Sequence, residues 1–254
     1  MVADSYSRRA VVKTGEILDG RYRIISELGV GSMGSVFLAE HVLIKRRVAI
    51  KILRPELVED ADVLDGFMNE ARAAGTLGHP NIVECTDMGL TRTNVPYIVL
   101  EYIEGVLLTD EIYRVGGLAV RRALKIADRI ASALLAAHTA GIVHRDLKSD
   151  NVFLTDKDDQ MDVVKVLDFG ISRLLGGRAD HGGNALVMGT PEFMSPEQVT
   201  SPETVDHRAD IYALGIILYE MLTARRPFSG DDKPIGEPGI VLVRLARSTP
   251  WGIR

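Results

Sequence analysis

Cysteine is nearly absent. Cys85 stands alone in 254 residues, which excludes an internal disulfide and a cysteine-rich metal cluster. One thiol fits a reducing cytosol, and a cytoplasmic location is the expectation. No long apolar run is present either: the longest, Ile211 to Leu222, is too short to span a bilayer and carries Glu220. The polar, basic start from Met1 to Gly15 lacks the apolar core of a secretory signal. Charge of one sign is also lacking. A net charge of −5 describes neither a nucleic-acid-binding surface nor a membrane-binding one. Apolar residues at 46% and charged ones at 26% argue against disorder, and the length suffices for one sizeable domain or one domain in two lobes. Nothing in the sequence specifies an oligomeric state.

The most informative stretch is Ile142-Val143-His144-Arg145-Asp146-Leu147-Lys148-Ser149-Asp150-Asn151. It lies between an amphipathic helix, with Ala123, Ala127, Ile130, Leu134 and Ala137 on one stripe, and a short apolar strand, Val152-Phe153-Leu154. A loop of this kind can aim the Asp146 carboxylate at a hydroxyl while the amide oxygen of Asn151 reaches a metal. That division of labour suits phosphoryl transfer.

Such chemistry also needs a phosphate cradle, a lysine, an acidic partner and a second metal ligand. Gly29-Val30-Gly31-Ser32-Met33-Gly34 lies between two β-like runs, Tyr22–Ile25 and Ser35–Ala39. In a dinucleotide fold this pattern would open a helix. Followed by a strand, it reads as a glycine hairpin over phosphates, with a plain turn as the alternative. Lys51 follows the apolar run Val48-Ala49-Ile50 in the strand Arg47–Leu53; it is either an edge lysine in solvent or a phosphate-holding ammonium. Glu70, on a helix from Leu64 to Leu77, is placed near the edge of a buried face of Leu64, Phe67, Met68 and Ala71, as a partner for Lys51 or as a solvated charge. His79 reads as a turn or packing histidine. Tyr97 to Gly105 reads as a strand running into a hinge, with Leu100 beside a base pocket and backbone groups of Glu101 and Ile103 facing an adenine; an ordinary strand end is the alternative.

Val163 to Leu167 predicts another strand, ending in Asp168-Phe169-Gly170. Asp168 is either a turn former or, beside Asn151, a Mg²⁺ ligand. An apolar helix over 208–224 starts near Asp210, which is either a helix N-terminal carboxylate or a brace beneath the catalytic loop.

Taken in order, Gly29/Gly31/Gly34/Val36, Val48-Ala49-Ile50-Lys51, Glu70, His144-Arg145-Asp146, Lys148, Asn151, Asp168-Phe169-Gly170, Ser195-Pro196-Glu197 and Asp210 resemble the eukaryotic-like (Hanks-type) Ser/Thr protein kinases of bacteria. The resemblance runs from about Tyr22 to Phe228. It implies an α+β, bilobal protein-kinase-like fold: an antiparallel β N-lobe with one main helix over 22–103 and a mainly helical C-lobe over 104–230. Residues 1–21 are then a flexible lead-in and 231–254 an atypical tail, with the last C-lobe helices lacking.

The same resemblance implies ATP and Mg²⁺ in the cleft between the lobes, and Ser/Thr hydroxyls of protein substrates as acceptors. Lys51 would hold the α/β-phosphates, fixed by Glu70. Asp146 would orient the hydroxyl and take its proton, and Lys148 would steady the γ-phosphate. Asn151 and Asp168 would hold the metals. Leu28, Gly29, Val30, Gly31 and Gly34 would cover the nucleotide. Val36, Ala49 and Phe153 would sandwich the adenine, with Leu100, Glu101 and Ile103 at its edge.

Three departures from the family pattern stand out. Ser149 replaces a common proline. Between Asp168 and Pro191 the hydroxyl residues are Ser172 and Thr190, so Arg145 has no central loop phosphothreonine to meet, and Asp180 is the expected fixed anion in its place. Beyond Gly230 the family's terminal helices are not legible apart from a short helix over Ile240–Ala246; Glu197 is then either left without the family's arginine partner or served by Arg244 or Arg247. Two other readings remain at this point. One is a nucleotide-binding pseudokinase or scaffold. The other is a small-molecule phosphotransferase, which the peptide-seating segment Gly189 to Glu197 disfavours.

Overall fold

The computed structural model describes residues 12–31, 33–157, 160–169 and 191–228. The expectations for Ser172, Asp180, Thr190, Arg244, Arg247 and the tail lie outside the described residues. The chain divides into two compact units: one up to Gly75 and again over Glu84–Tyr102, the other over Thr76–Val83 and from Ile103 onward.

The first unit is built on a six-stranded antiparallel sheet in the order β1-β2-β3-β4-β6-β5. Its strands are β1 (Ile17–Leu18), β2 (Tyr22–Val30), β3 (Gly34–His41), β4 (Arg47–Leu53), β5 (Cys85–Leu90) and β6 (Pro96–Glu101). β4 and β6 are central and read as near-continuous apolar runs, and Ile50, Ile52, Tyr97, Ile98 and Val99 are buried. β1 corrects an expectation: it falls in the stretch expected as a flexible lead-in, yet it pairs with β2 and buries Leu18. Its end is pinned by polar contacts. Arg21 and Tyr22 both donate to Asp87 Oδ2, at 2.6 and 2.7 Å, and Tyr97 donates to Asp19. Burial and the Asp87 hydrogen bond push the Tyr22 hydroxyl up to about 12, so it stays a donor.

Helix α1 (Ala61–Thr76) buries Val63, Gly66, Phe67, Glu70, Ala71, Ala73 and Ala74. Leu64 and Met68 are only half-buried. The buried face is thus turned by about one residue from the expected one, and Glu70 lies in its middle.

The second unit carries α2 (Leu108–Val115), α3 (Val120–Thr139), α4 (Pro196–Thr200) and α5 (Arg208–Thr223), with a small sheet of β7 (Val106–Leu107), β8 (Val152–Lys157) and β9 (Gln160–Val166). α3 packs on α5, burying Ile126, Ile130 and Leu134 from one and Ala213, Ile217 and Met221 from the other. Each such large aliphatic contributes about 1.5–3 kcal/mol on burial. The loop between α3 and β8 therefore rests on a packed base. His79 is a packing residue, as expected: its Nδ1 accepts the Asn81 N–H and its Nε2 meets Ser132 Oγ.

Candidate active site

In the first unit the sheet register decides which side chains share a face. Gly29 pairs with Val36, Val36 with Lys51, and Ala49 with Leu100. Because side chains alternate along a strand, Val36, Ala49, Lys51 and Leu100 all lie on one face. Lys51 is 8% exposed and Glu70 2%, so neither is the solvated charge of the alternative reading. Lys51 Nζ meets Glu70 Oε1 at 2.8 Å and Oε2 at 3.1 Å. An ion pair this dry tolerates no loss of one partner.

The glycines divide by role. A Cβ on Gly34 would come within 2.0 Å of the Ile52 carbonyl oxygen, so Gly34 is demanded by the close approach of β3 and β4. A Cβ on Gly29 would meet nothing within 4 Å, and one on Gly31 only the Gly34 oxygen at 3.7 Å. Leu28 and Val30 are exposed, at 48% and 46%. We therefore expect Gly34→Ala to cost about 2 kcal/mol or more by overpacking, and Gly29→Ala less than about 0.5 kcal/mol, in denaturant unfolding. Equal losses would contradict this division. At the end of β6 the Glu101 N–H is committed to the Glu84 carbonyl at 2.9 Å, so that N–H is not available to a base.

In the second unit the sequence-read residues converge. Asn151 Nδ2 donates to the Asp146 carbonyl at 2.8 Å, which leaves its Oδ1 on the side away from that carbonyl. Lys148 Nζ lies 3.1 Å from Asp146 Oδ2. His144, fully buried, accepts the Asp146 N–H on Nδ1 at 3.4 Å and meets the Leu167 carbonyl through Nε2 at 2.8 Å. It thereby ties the loop to the residue before Asp168, and its ring packs on Phe169 at 4.6 Å. Asp168 has φ of +59° and is half-buried. Ile103 and Phe153 are half-buried, and Phe153 pairs with Leu107 and Lys165 in the small sheet.

Asp210 is the brace expected of it. Its Oδ2 accepts the His144 N–H at 2.9 Å and its Oδ1 the Arg145 N–H at 2.8 Å. His138 Nε2 adds a third contact at 2.7 Å, satisfying a carboxylate only 1% exposed. Glu197 is half-buried; burial and, after it, the Glu197 charge raise the Tyr212 hydroxyl, while Arg208 is raised chiefly by its hydrogen bond to Asp206.

Two residues near the loop carried no role in the sequence reading. Arg226 donates to the fully buried Glu220 at 3.0 Å and lies 3.8 Å from both Asp150 and Glu192. Burial lowers Arg226, but the hydrogen bond and charge of Glu220 outweigh it and raise the guanidinium above its ordinary value. Gln198 touches the loop backbone itself, donating to the Arg145 carbonyl. The Ser195-Pro-Glu-Gln198 spacing is a capping-box pattern, and that was the available sign for Gln198. Arg226 had no sequence signal.

The protein kinase domain model matches residues 22–241 of the chain. The chain belongs to the protein kinase family. The kinase is 42% identical to Serine/threonine-protein kinase Pkn1 of Myxococcus xanthus over 212 residues, covering 84% of this chain and 30% of that protein. It is 40% identical to Serine/threonine-protein kinase PrkC of Bacillus subtilis over 236 residues, covering 93% of this chain and 35% of that protein. Among solved structures it resembles the kinase domain of Mycobacterium tuberculosis PknI, with a TM-score of 0.69 at 29% identity, covering 89% of this chain and 83% of that one. The kinase is thus a domain of the bacterial Hanks-type Ser/Thr class, with an antiparallel β lobe carrying one main helix and a helical lobe. It spans about a third of the length of these curated relatives.

Proposed function

We propose that this domain transfers the γ-phosphoryl group of ATP to serine and threonine hydroxyls of proteins, with Mg²⁺ as its metal. The observation that carries the reading is the fixed Asp146 loop, with Lys148 and Asn151 both within reach of the Asp146 side chain or backbone. A scaffold has no chemical need for that constellation together with a dry Lys51–Glu70 pair.

The residues present fit the nucleotide and the metal. Asn151 and Asp168 offer oxygen donors, which hard cations prefer. Among the described residues no group of three or more His, Cys, Asp or Glu could hold a metal alone, so the remaining ligands would be phosphate oxygens and water. Bound magnesium supplies charge neutralisation on the phosphates.

The chain's own residues do the rest. Lys51, held by Glu70, binds the α/β-phosphates. Gly29 and Gly31 leave room for phosphates beside the backbone, while Leu28, Val30, Val36, Ala49, Leu100 and Phe153 supply apolar cover for the base. The backbones of Glu101 and Ile103 recognise its edge. Asp146 orients the acceptor hydroxyl. As the hydroxyl oxygen bonds to the γ-phosphorus, the bond to the β,γ-bridging oxygen breaks, ADP leaves, and the hydroxyl proton passes to Asp146. Lys148 brings positive charge to the transferred group. The acceptors are protein side chains, and the work is cytoplasmic; no helix among the described residues is long and apolar enough to cross a membrane.

The test is incubation with labelled Mg²⁺-ATP, alone and with a generic basic protein, beside Asp168→Ala. Label on Ser or Thr that vanishes in the variant is the expected result. A folded protein that binds ATP and transfers nothing would instead be a nucleotide-binding scaffold.

A further inference from the structure

Gln198 faces two ways. It is the third helical residue of α4, following Ser195 at the cap. Its Oε1 accepts the Ser195 N–H at 3.0 Å, and its Nε2 donates to the Arg145 carbonyl at 2.7 Å. A helix cap needs only the first of these bonds. The second reaches a residue 53 positions away, in the loop that holds Asp146.

Arg145 is an unusual residue to hold. Its φ is +64°, in the left-handed region where a side chain is strained. Such a conformation persists only where its surroundings over-determine it. Asp210 fixes the N–H side of Arg145, and Val205 accepts from its guanidinium at 3.2 Å. The carbonyl side belongs to the peptide plane that joins Arg145 to Asp146. The Asp146 N–H of that plane reaches His144 Nδ1 at only 3.4 Å, a long hydrogen bond. Gln198 supplies the short one. A rotation of this plane would swing the Cα–Cβ direction of Asp146, and with it the carboxylate.

We propose that Gln198 is a positioning residue for phosphoryl transfer: it holds the 145–146 peptide plane, sets the direction of Asp146, and couples that direction to the segment Pro191–Gln198. The role rests on the kinase reading above. It makes the start of α4 part of the machinery that aims the catalytic carboxylate.

Gln198→Glu separates the two bonds. The introduced carboxylate still accepts from Ser195 N–H, but it cannot donate to Arg145 while ionised. The charged residues that line one small cavity with Gln198 are Arg145, Asp146 and Asp210, and Glu197 lies on the same helix. A protonated carboxyl has an O–H to donate, so the defect should shrink as pH falls. At pH 8 the variant is expected to lose about tenfold in kcat, with the KM for ATP unchanged and unfolding near that of wild type. Relative to wild type at each pH, the deficit should stay flat between pH 8 and pH 6 and narrow only as pH falls toward the ordinary glutamate value of about 4.3. Gln198→Met lacks both bonds and should show a deficit that pH does not change. It also keeps the test alive if the acidic variant folds poorly.

A transferring wild type with an unchanged kcat in Gln198→Glu overturns the positioning role and leaves Gln198 a helix cap. A loss that falls on the KM for ATP or on unfolding stability, with kcat unchanged, also overturns it. A wild type that transfers no phosphate contradicts the kinase reading, and this role with it.

Discussion

Asp146→Asn is expected to lower the rate of phosphoryl transfer by about three orders of magnitude while leaving ATP affinity within about twofold. The substitution keeps the size of the side chain and one oxygen for Lys148, which lies 3.1 Å from the native carboxylate. It also leaves the backbone clamps untouched, because Asp210, His144 and Asn151 all bind main-chain atoms of residues 144–146. What is lost is the group that takes the hydroxyl proton. General base catalysis by a placed side chain is worth about 10²–10⁴-fold, and orientation of the hydroxyl is lost with it. Single-turnover transfer and an independent nucleotide titration measure the two quantities. A loss below about tenfold would mean that Asp146 neither orients nor deprotonates the acceptor.

The second large effect concerns the Lys51–Glu70 pair. Glu70→Ala removes the main counter-ion of a lysine that is 8% exposed, at a contact of 2.8 Å. Breaking such a pair costs about 3–5 kcal/mol, because the remaining charge stays in a dry site. Combining Glu70→Ala with Lys51→Met should restore most of that stability, since apolar replacement of a buried pair is often near neutral. Transfer should not return with it. Both the single and the double variant are expected to be inactive, because the ammonium that binds the phosphates is either misplaced or gone. Denaturant unfolding and transfer assays on wild type and these two variants separate the two roles. Recovered activity in the double variant would show that the pair serves only the fold.

Much of the site was legible in the sequence because its residues are local in the chain and chemically distinctive. Asp146, Lys148 and Asn151 sit within six positions of each other, and Asp168 ends a strand with a clear period. The Lys51–Glu70 pairing was legible from the need for a counter-ion, and Asp210 from its place near the start of a buried helix. The expected placement of Glu70 at the edge of the α1 face missed because Leu64 and Met68, the larger apolar side chains, are less buried than Gly66, Ala73 and Ala74. Small residues mark close packing there, and a hydrophobic pattern weighted by side-chain size misses them. Gly34 was grouped with Gly29 and Gly31 on spacing, yet its need comes from the carbonyl of Ile52 across the ladder, a contact 18 positions away. β1 was missed because two residues give no period. Gln198 and Arg226 act on the backbone or on carboxylates distant in the chain, and such contacts leave no trace in local composition.

The most direct test of the central claim offers the domain three matched peptides that differ only in the acceptor, Ser, Thr or Tyr, with Mg²⁺ and labelled ATP. Label on the Ser and Thr peptides, none on the Tyr peptide, and none on any peptide with Asp146→Asn is the expected result. Label on Tyr in preference to Ser and Thr, or equal labelling by wild type and Asp146→Asn, would contradict it.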